Sequence, residues 1–215
     1  MKTRKDGEAT RNAILDAACK VFGEKGFHKA THAEISREAG VNTALINFHF
    51  GSKDELYRKV WERVSKNLNE LYPIDGNIPA TAPAEERLYG HIRSLLNRAL
   101  DTRMEGFHRI RTMESINPTG LLDKDRAERM QKSRAYTLAL VRELLGPDAT
   151  DQTVELCEMS VISQCMVILR PLGCKSKRLH HRFKHSDVDS LTRHITKFSL
   201  AGINAIKNRE KDRKP

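Results

Sequence analysis

Within the stretch that follows Asn42, the sequence places Thr43, Ala44, Leu45 and Asn47 close together. Thr43 and Asn47 carry groups that can hydrogen-bond the edges of base pairs. Ala44 and Leu45 are small or apolar enough to meet a thymine methyl in a major groove. The chemistry these types offer is reading of double-stranded DNA, not bond making. No nucleophile elbow, phosphate loop, HExxH or paired-carboxylate constellation occurs, so the sequence reads as a protein with no catalytic residues. Cys19 falls on the apolar face of the first expected helix, which removes it as a nucleophile.

A helix that reads a groove has to be held at a fixed angle, and the flanking residues supply the means. Thr31-His-Ala-Glu34 is a capping box, in which the Thr hydroxyl accepts from the Glu34 amide and the Glu side chain returns to the Thr amide. It opens a helix to Ala39, which Gly40 breaks. Asn42 is an N-cap for a third helix to about Phe48. Ile35, Ala39, Val41, Ile46 and Phe50 can form the small core between the two. Before them, apolar Ile14, Ala18, Val21 and Phe22 predict a helix over about 10–25, with Gly26 after it. Beyond them, Ser52-Lys-Asp-Glu55 is a second capping box. It opens a long helix striped with Tyr57, Val60, Trp61, Val64, Leu68 and Leu71. The N-terminus of the third helix also favours nearby phosphate.

Pro73, Gly76, Pro79 and Pro83 mark a break, and the helical period then resumes. Helices are expected over about 84–102, 105–116, 121–145, 151–170 and 187–208. The fold expected is all-α with about nine helices: a helix-turn-helix domain over 1–72 and a helical domain over 84–215. The chain has 215 residues, 39% of them hydrophobic and 31% charged, which suits a helix-rich globular protein. No apolar run is long enough for a membrane span, and the charged start of the chain is not a secretory signal. Its four cysteines form no CxxC pair and read as reduced thiols of a cytoplasmic protein. The formal charge of +10 hints at an anionic partner, but most of the excess lies near the C-terminus, away from the helix-turn-helix.

The stretch from Thr10 to Tyr57 resembles the DNA-binding domain of the TetR family of repressors. Carrying the resemblance are Ala17-Ala18 and Phe22 of the first helix, Gly26-Phe27, Thr31, Ile35, Ala39-Gly40-Val41, His49-Phe50 and Lys53. The resemblance implies that Thr43, Ala44, Leu45 and Asn47 face bases. It implies that His32 and Ala33 touch the backbone or an outer base, and that His49 and Lys53 contact phosphate. His49 can equally support the turn between helices. Where relatives often carry Tyr, this chain has Asn47. Where they often carry Tyr or Trp it has Phe48, which without a hydroxyl is expected to pack.

The same resemblance implies a C-terminal domain that dimerises and encloses an effector pocket. The expected dimer face is Val161, Ile162, Cys165 and Leu169 with Leu191, Ile195, Phe198 and Gly202, forming a four-helix contact with the two-fold copy. Ordinary packing of these helices into the monomer core is the alternative. Met104, Phe107, His108, Met113, Met130, Tyr136 and Cys157 are the candidate pocket residues for a small-molecule effector, again against core packing. Glu114 to Pro118, taken with His49 to Lys53, is similar to the CecR-type subset, whose members tend to regulate transporters and drug tolerance. Cys174, His180, His181 and His185 read as part of a solvated basic loop or an accessory phosphate contact rather than a metal site, and no cofactor is expected. The function implied is a ligand-responsive repressor binding a palindromic operator as a homodimer. An activator, and a sequence-indifferent DNA binder driven by the basic tail, are the alternatives.

Overall fold

Local capping sets the N-terminal elements. In the computed structural model, which describes residues 4–166 and 183–212, α1 (Arg4–Lys29) contains a break at Gly26, where φ is +74°. Helices α2 (His32–Ala39) and α3 (Thr43–Phe50) follow, and then α4 (Lys53–Leu71). After an irregular stretch come α5 (Ala84–Leu100), α6 (Glu105–Ile116), α7 (Asp123–Leu145), α8 (Asp151–Met166) and α9 (Val188–Asp212). Two single turns of 3-10 helix, Thr102–Met104 and His185–Asp187, complete the described elements, among which there is no strand. The fold is all-α with an N-terminal helix-turn-helix, as the periodicity implied. No described helix is long and apolar enough to cross a membrane.

The chain divides into two compact units. One comprises, of the described residues, 4–68 and 103–125; the other comprises 69–102, 126–166 and 183–212. This differs from a boundary drawn only in the Pro/Gly-rich stretch after residue 72, because α6 packs with the N-terminal helices. The reason is a close crossing of α1 and α6: a Cβ on Gly23 would lie 3.1 Å from the Gly106 carbonyl oxygen. No sequence period announces such an approach.

The first unit is built on Ile14, Leu15, Ala18 and Phe22 of α1, Ile35 of α2, Ile46 of α3, and Leu56, Tyr57, Val60 and Trp61 of α4, all buried. The Tyr57 ring meets Phe22 edge-on at 4.8 Å between centroids. Its hydroxyl donates to buried Glu114 at 2.8 Å. Glu114 also accepts from the Thr119 hydroxyl at 2.8 Å and the Thr119 amide at 3.3 Å, so the buried carboxylate is surrounded by donors. Leu71, expected to continue the α4 stripe, is exposed at the helix end.

The second unit packs Leu88, Ile92 and Leu96 of α5 against Val141 and Leu144 of α7, Val154, Cys157, Val161 and Cys165 of α8, and Val188, Ile195 and Ile203 of α9. The turn at residues 72–79 lies close on α5. Gly76 has φ +64°, and a Cβ there would come within 2.2 Å of the Gly90 carbonyl oxygen. The Tyr72 carbonyl accepts from Ser94 Oγ at 3.1 Å and Arg98 Nε at 2.8 Å. His91, fully buried, sits 2.7 Å by Nδ1 from the Ile74 carbonyl, an acceptor only, so Nδ1 carries the proton. Its Nε2 then accepts from the Thr137 hydroxyl at 2.9 Å. Burial pushes the His91 pKa down from 6.5 to about 4, holding the ring neutral.

Candidate nucleic-acid interface

The α2–α3 corner is assembled from side chain-to-backbone bonds. Thr31 Oγ1 accepts from the Glu34 amide at 3.2 Å, and Glu34 accepts from the Thr31 amide at 3.2 Å, so both halves of the capping box are formed. The Lys25 ammonium bonds Glu34 as well and holds its carboxyl below the ordinary range. Gly40 ends α2 in the left-handed region at φ +66°, where a side chain would be strained. Asn42 Oδ1 then accepts from the Ala44 amide at 2.9 Å and starts α3. Across the corner, the hydroxyls of Ser36 and Thr43 lie 3.1 Å apart and share a hydrogen bond.

Within α3, Ile46 and Phe50 are buried, and Ala44, Asn47 and Phe48 are exposed. Positions 44, 47 and 48 stand at i, i+3 and i+4 and form one outward strip. Thr43, Leu45 and His49 are half-buried at its edges. Phe48, expected to pack, is instead 81% exposed. The core positions of so short a helix are already filled by Ile46 and Phe50. The signal for this was present in the sequence: Phe48 lies one turn from Ala44, an expected base-facing position.

Ala33 is exposed on α2, and His32 beside it is half-buried. The buried Nε2 of His32 has no hydrogen-bond partner among the described residues. Lys53 is more constrained than a free phosphate contact would be. Its ammonium donates to the carbonyls of Phe27 at 3.0 Å and Ala30 at 3.2 Å, and lies 4.5 Å from the centre of the Phe27 ring. It therefore ties the start of α4 to the end of α1, and one of its three N–H groups is left for an outside partner. Arg11 lies 5.2 Å from the centre of the Phe50 ring.

The candidate pocket residues are spread over both units. Met104 and Phe107 line a cleft of about 350 Å³ within the first unit, together with Asp16, Cys19, Arg63 and Arg109. Phe107 packs on Trp61 at 4.9 Å between ring centroids. In the same unit His108 is half-buried and Met113 is exposed beside Gly26. In the second unit Tyr136 is half-buried with its ring 5.1 Å from that of His91. Met130, like Met113, is exposed, and Cys157 is part of the close-packed core. An apolar helix position does not say whether it faces a cavity, a neighbour or solvent.

The expected dimer face is also redistributed. Val161, Cys165 and Ile195 are buried in the core of their own unit and cannot present surface to a second chain. Burial pushes the Cys165 thiol up to about 12. Ile162 and Leu191 are half-buried, whereas Phe198 and Gly202 are exposed. The exposed apolar side chains of α8 are Leu156, Met159 and Met166, rotated away from the expected face. Leu169, Cys174, His180 and His181 lie outside the described residues; His185 is exposed. Among the described residues no group of three His, Cys, Asp or Glu could hold a metal ion.

A capped helix-turn-helix whose second helix turns a polar and apolar strip outward defines a DNA-binding regulator. Comparison with known proteins agrees. Residues 14–60 match the model of the bacterial regulatory proteins, tetR family, and residues 84–203 match that of the C-terminal domain of the HTH-type transcriptional dual regulator CecR. The chain belongs to the TetR family of transcriptional regulators, CecR type, and is not an enzyme. It is 25% identical to CecR of Shigella flexneri over 175 residues, 74% of this chain and 75% of that one. It is 36% identical to the transcriptional regulator AcrR of the same organism over 70 residues, a third of the length of each. A structure of AibR in complex with isovaleryl coenzyme A and operator DNA superposes with a TM-score of 0.64 at 16% identity, covering 86% of this chain and 97% of that one. The fatty acid degradation regulator FadR of Bacillus halodurans gives a TM-score of 0.63 at 16% identity over 94% and 97%.

Proposed function

We propose that the protein is a homodimeric repressor that binds a palindromic operator through α2 and α3 and releases it when a small-molecule effector binds the C-terminal region. The outward strip of α3 carries this reading. Its members are exposed, and the capping bonds that support it use the side chains of Thr31 and Asn42 and backbone amides, leaving the strip's own side chains free of them. Asn47 and Thr43 would address base edges and Ala44 and Leu45 thymine methyls. His32, Ala33, His49 and the remaining Lys53 N–H would lie along the backbone. Dimerisation is favoured by exposed Leu156, Met159, Met166 and Phe198 in the second unit, since a lone chain rarely leaves so many large apolar side chains in water. A cytoplasmic location goes with this function. AibR, in complex with both an acyl coenzyme A and operator DNA, is the pattern for effector response.

The test is selection of duplexes from a random pool by the full-length protein, followed by the mass of the complex. Two chains on one palindromic duplex, with an affinity that falls steeply with salt, is the expected result. A pool that yields no enriched duplex overturns it. Because the CecR-type relative is described as a dual regulator, the enriched site should be assayed for activation as well as repression.

A further inference from the structure

We propose that Phe48, with Ala44, reads the 5-methyl group of thymine and so sets the base preference of α3; this rests on α3 being the helix that enters the major groove. Phe48 is 81% exposed, more than any other large apolar side chain among the described residues. Its ring has no donor or acceptor, so neither a phosphate nor a base edge can be its hydrogen-bond partner. On a B-form duplex the apolar group presented in the major groove is the thymine methyl, which aromatic and small aliphatic side chains contact.

Position reinforces chemistry. Ala44 lies one turn before Phe48 on the same exposed strip, and Asn47 stands beside it. The strip thus offers one hydrogen-bonding side chain between two apolar ones. The neighbours of Phe48 offer less free surface: the Thr43 hydroxyl shares a hydrogen bond with Ser36, and Leu45 is half-buried, so each can add to the contact while Phe48 extends furthest. The His49 ring packs edge-on against Phe48 at 5.1 Å between centroids and supports it from one side. Self-association through this patch is a poorer match, because one phenylalanine and one alanine fall far short of the area that a stable protein interface buries.

The experiment uses the duplex enriched from a random pool by the full-length protein. Each thymine is replaced in turn by deoxyuridine, which removes the methyl and leaves the pairing edge intact. At one thymine in each half-site the substitution should weaken the wild-type protein about fourfold, the ordinary effect of losing one buried methyl-sized group. Phe48→Ala should bind the thymine and uracil duplexes equally, and Phe48→Leu should keep part of the preference. As a surface change, Phe48→Ala should leave the fold intact, which its thermal midpoint checks. Indifference of the wild type to uracil at every position overturns the proposal. So does a Phe48→Ala protein that keeps the wild-type thymine-to-uracil ratio, since Phe48 would then act without touching the methyl. Failure to enrich any duplex is a different result and removes operator binding itself.

Discussion

The α2–α3 corner and the α8–α9 pair hold their helices by different means. In the corner, Thr31, Glu34 and Asn42 bond backbone amides within three residues along the chain, and Gly40 turns in open space with nothing near its missing side chain. In α8 and α9, Cys157, Val161, Cys165, Ile195 and Ile203 are buried against residues distant in sequence, while Leu156, Met159 and Phe198 of the same helices stay exposed. The corner is a local structure whose outward face is free for a partner. The α8–α9 pair is a tertiary structure with two apolar sides, one already used. The proposed function draws on the same difference: polar local bonds leave the strip exposed for reading, and exposed apolar side chains of α8 and α9 are available to a second chain.

Two glycines give the largest test of this contrast. Gly76→Ala drives a Cβ into the Gly90 backbone and should destabilise the fold by about 4 kcal/mol in urea denaturation, combining overpacking with left-handed strain. Gly40→Ala meets no neighbour and should lose only the local term, about 1 kcal/mol. Equal losses would erase the distinction between a local and a tertiary turn.

The buried His91 gives the next largest effect. Its folded pKa lies near 4, below the unfolded 6.5, so its contribution is complete above pH 6.5 and is lost as pH falls toward 4. Relative to His91→Asn, which cannot take up the proton, wild-type stability should drop by roughly 3 kcal/mol across that window. Parallel pH profiles for the two proteins would show that burial of the ring is relieved some other way.

Thr31→Ala removes a cap without opening a cavity and should lower stability by about 1 kcal/mol. The loss should appear as faster hydrogen exchange confined to α2 amides. Exchange raised equally in α5 would contradict the local character of the corner. Least of all should the fold notice Phe198→Asp, with a change under about 0.5 kcal/mol in dilute solution, because that side chain is 65% exposed. Sedimentation should nonetheless show the dimer dissociating at concentrations where the wild type does not. An unchanged dimer would move the interface off α9.

Legibility in the sequence followed the same division. The Thr31/Glu34 capping box, the Gly40 break and the bounds of α2 and α6 could be read directly, because each depends on residues within a few positions of one another. Of the Ser52/Glu55 box only the bond from the Glu55 amide to the Ser52 hydroxyl is formed, the Ser52 amide donating to the Phe50 carbonyl instead. Phe48 could have been placed outward from its spacing to Ala44, but its aromatic ring suggested packing. Lys53 was legible as a cation near the reading helix. Its bonds to the carbonyls of Phe27 and Ala30 were not, because those groups lie more than twenty residues away.

By itself the sequence determined the helical class, the order of the elements, the family and the short helix that begins after Asn42. Only the tertiary structure decided which apolar face of α8 turns inward, that α6 belongs with the N-terminal helices, and that Lys53 bonds the carbonyls of Phe27 and Ala30. The physical reason is range. Caps and turns are satisfied by near neighbours and leave their signature in a few adjacent residues. The choice between core, cleft and interface depends on what the rest of the folded chain brings against each helix.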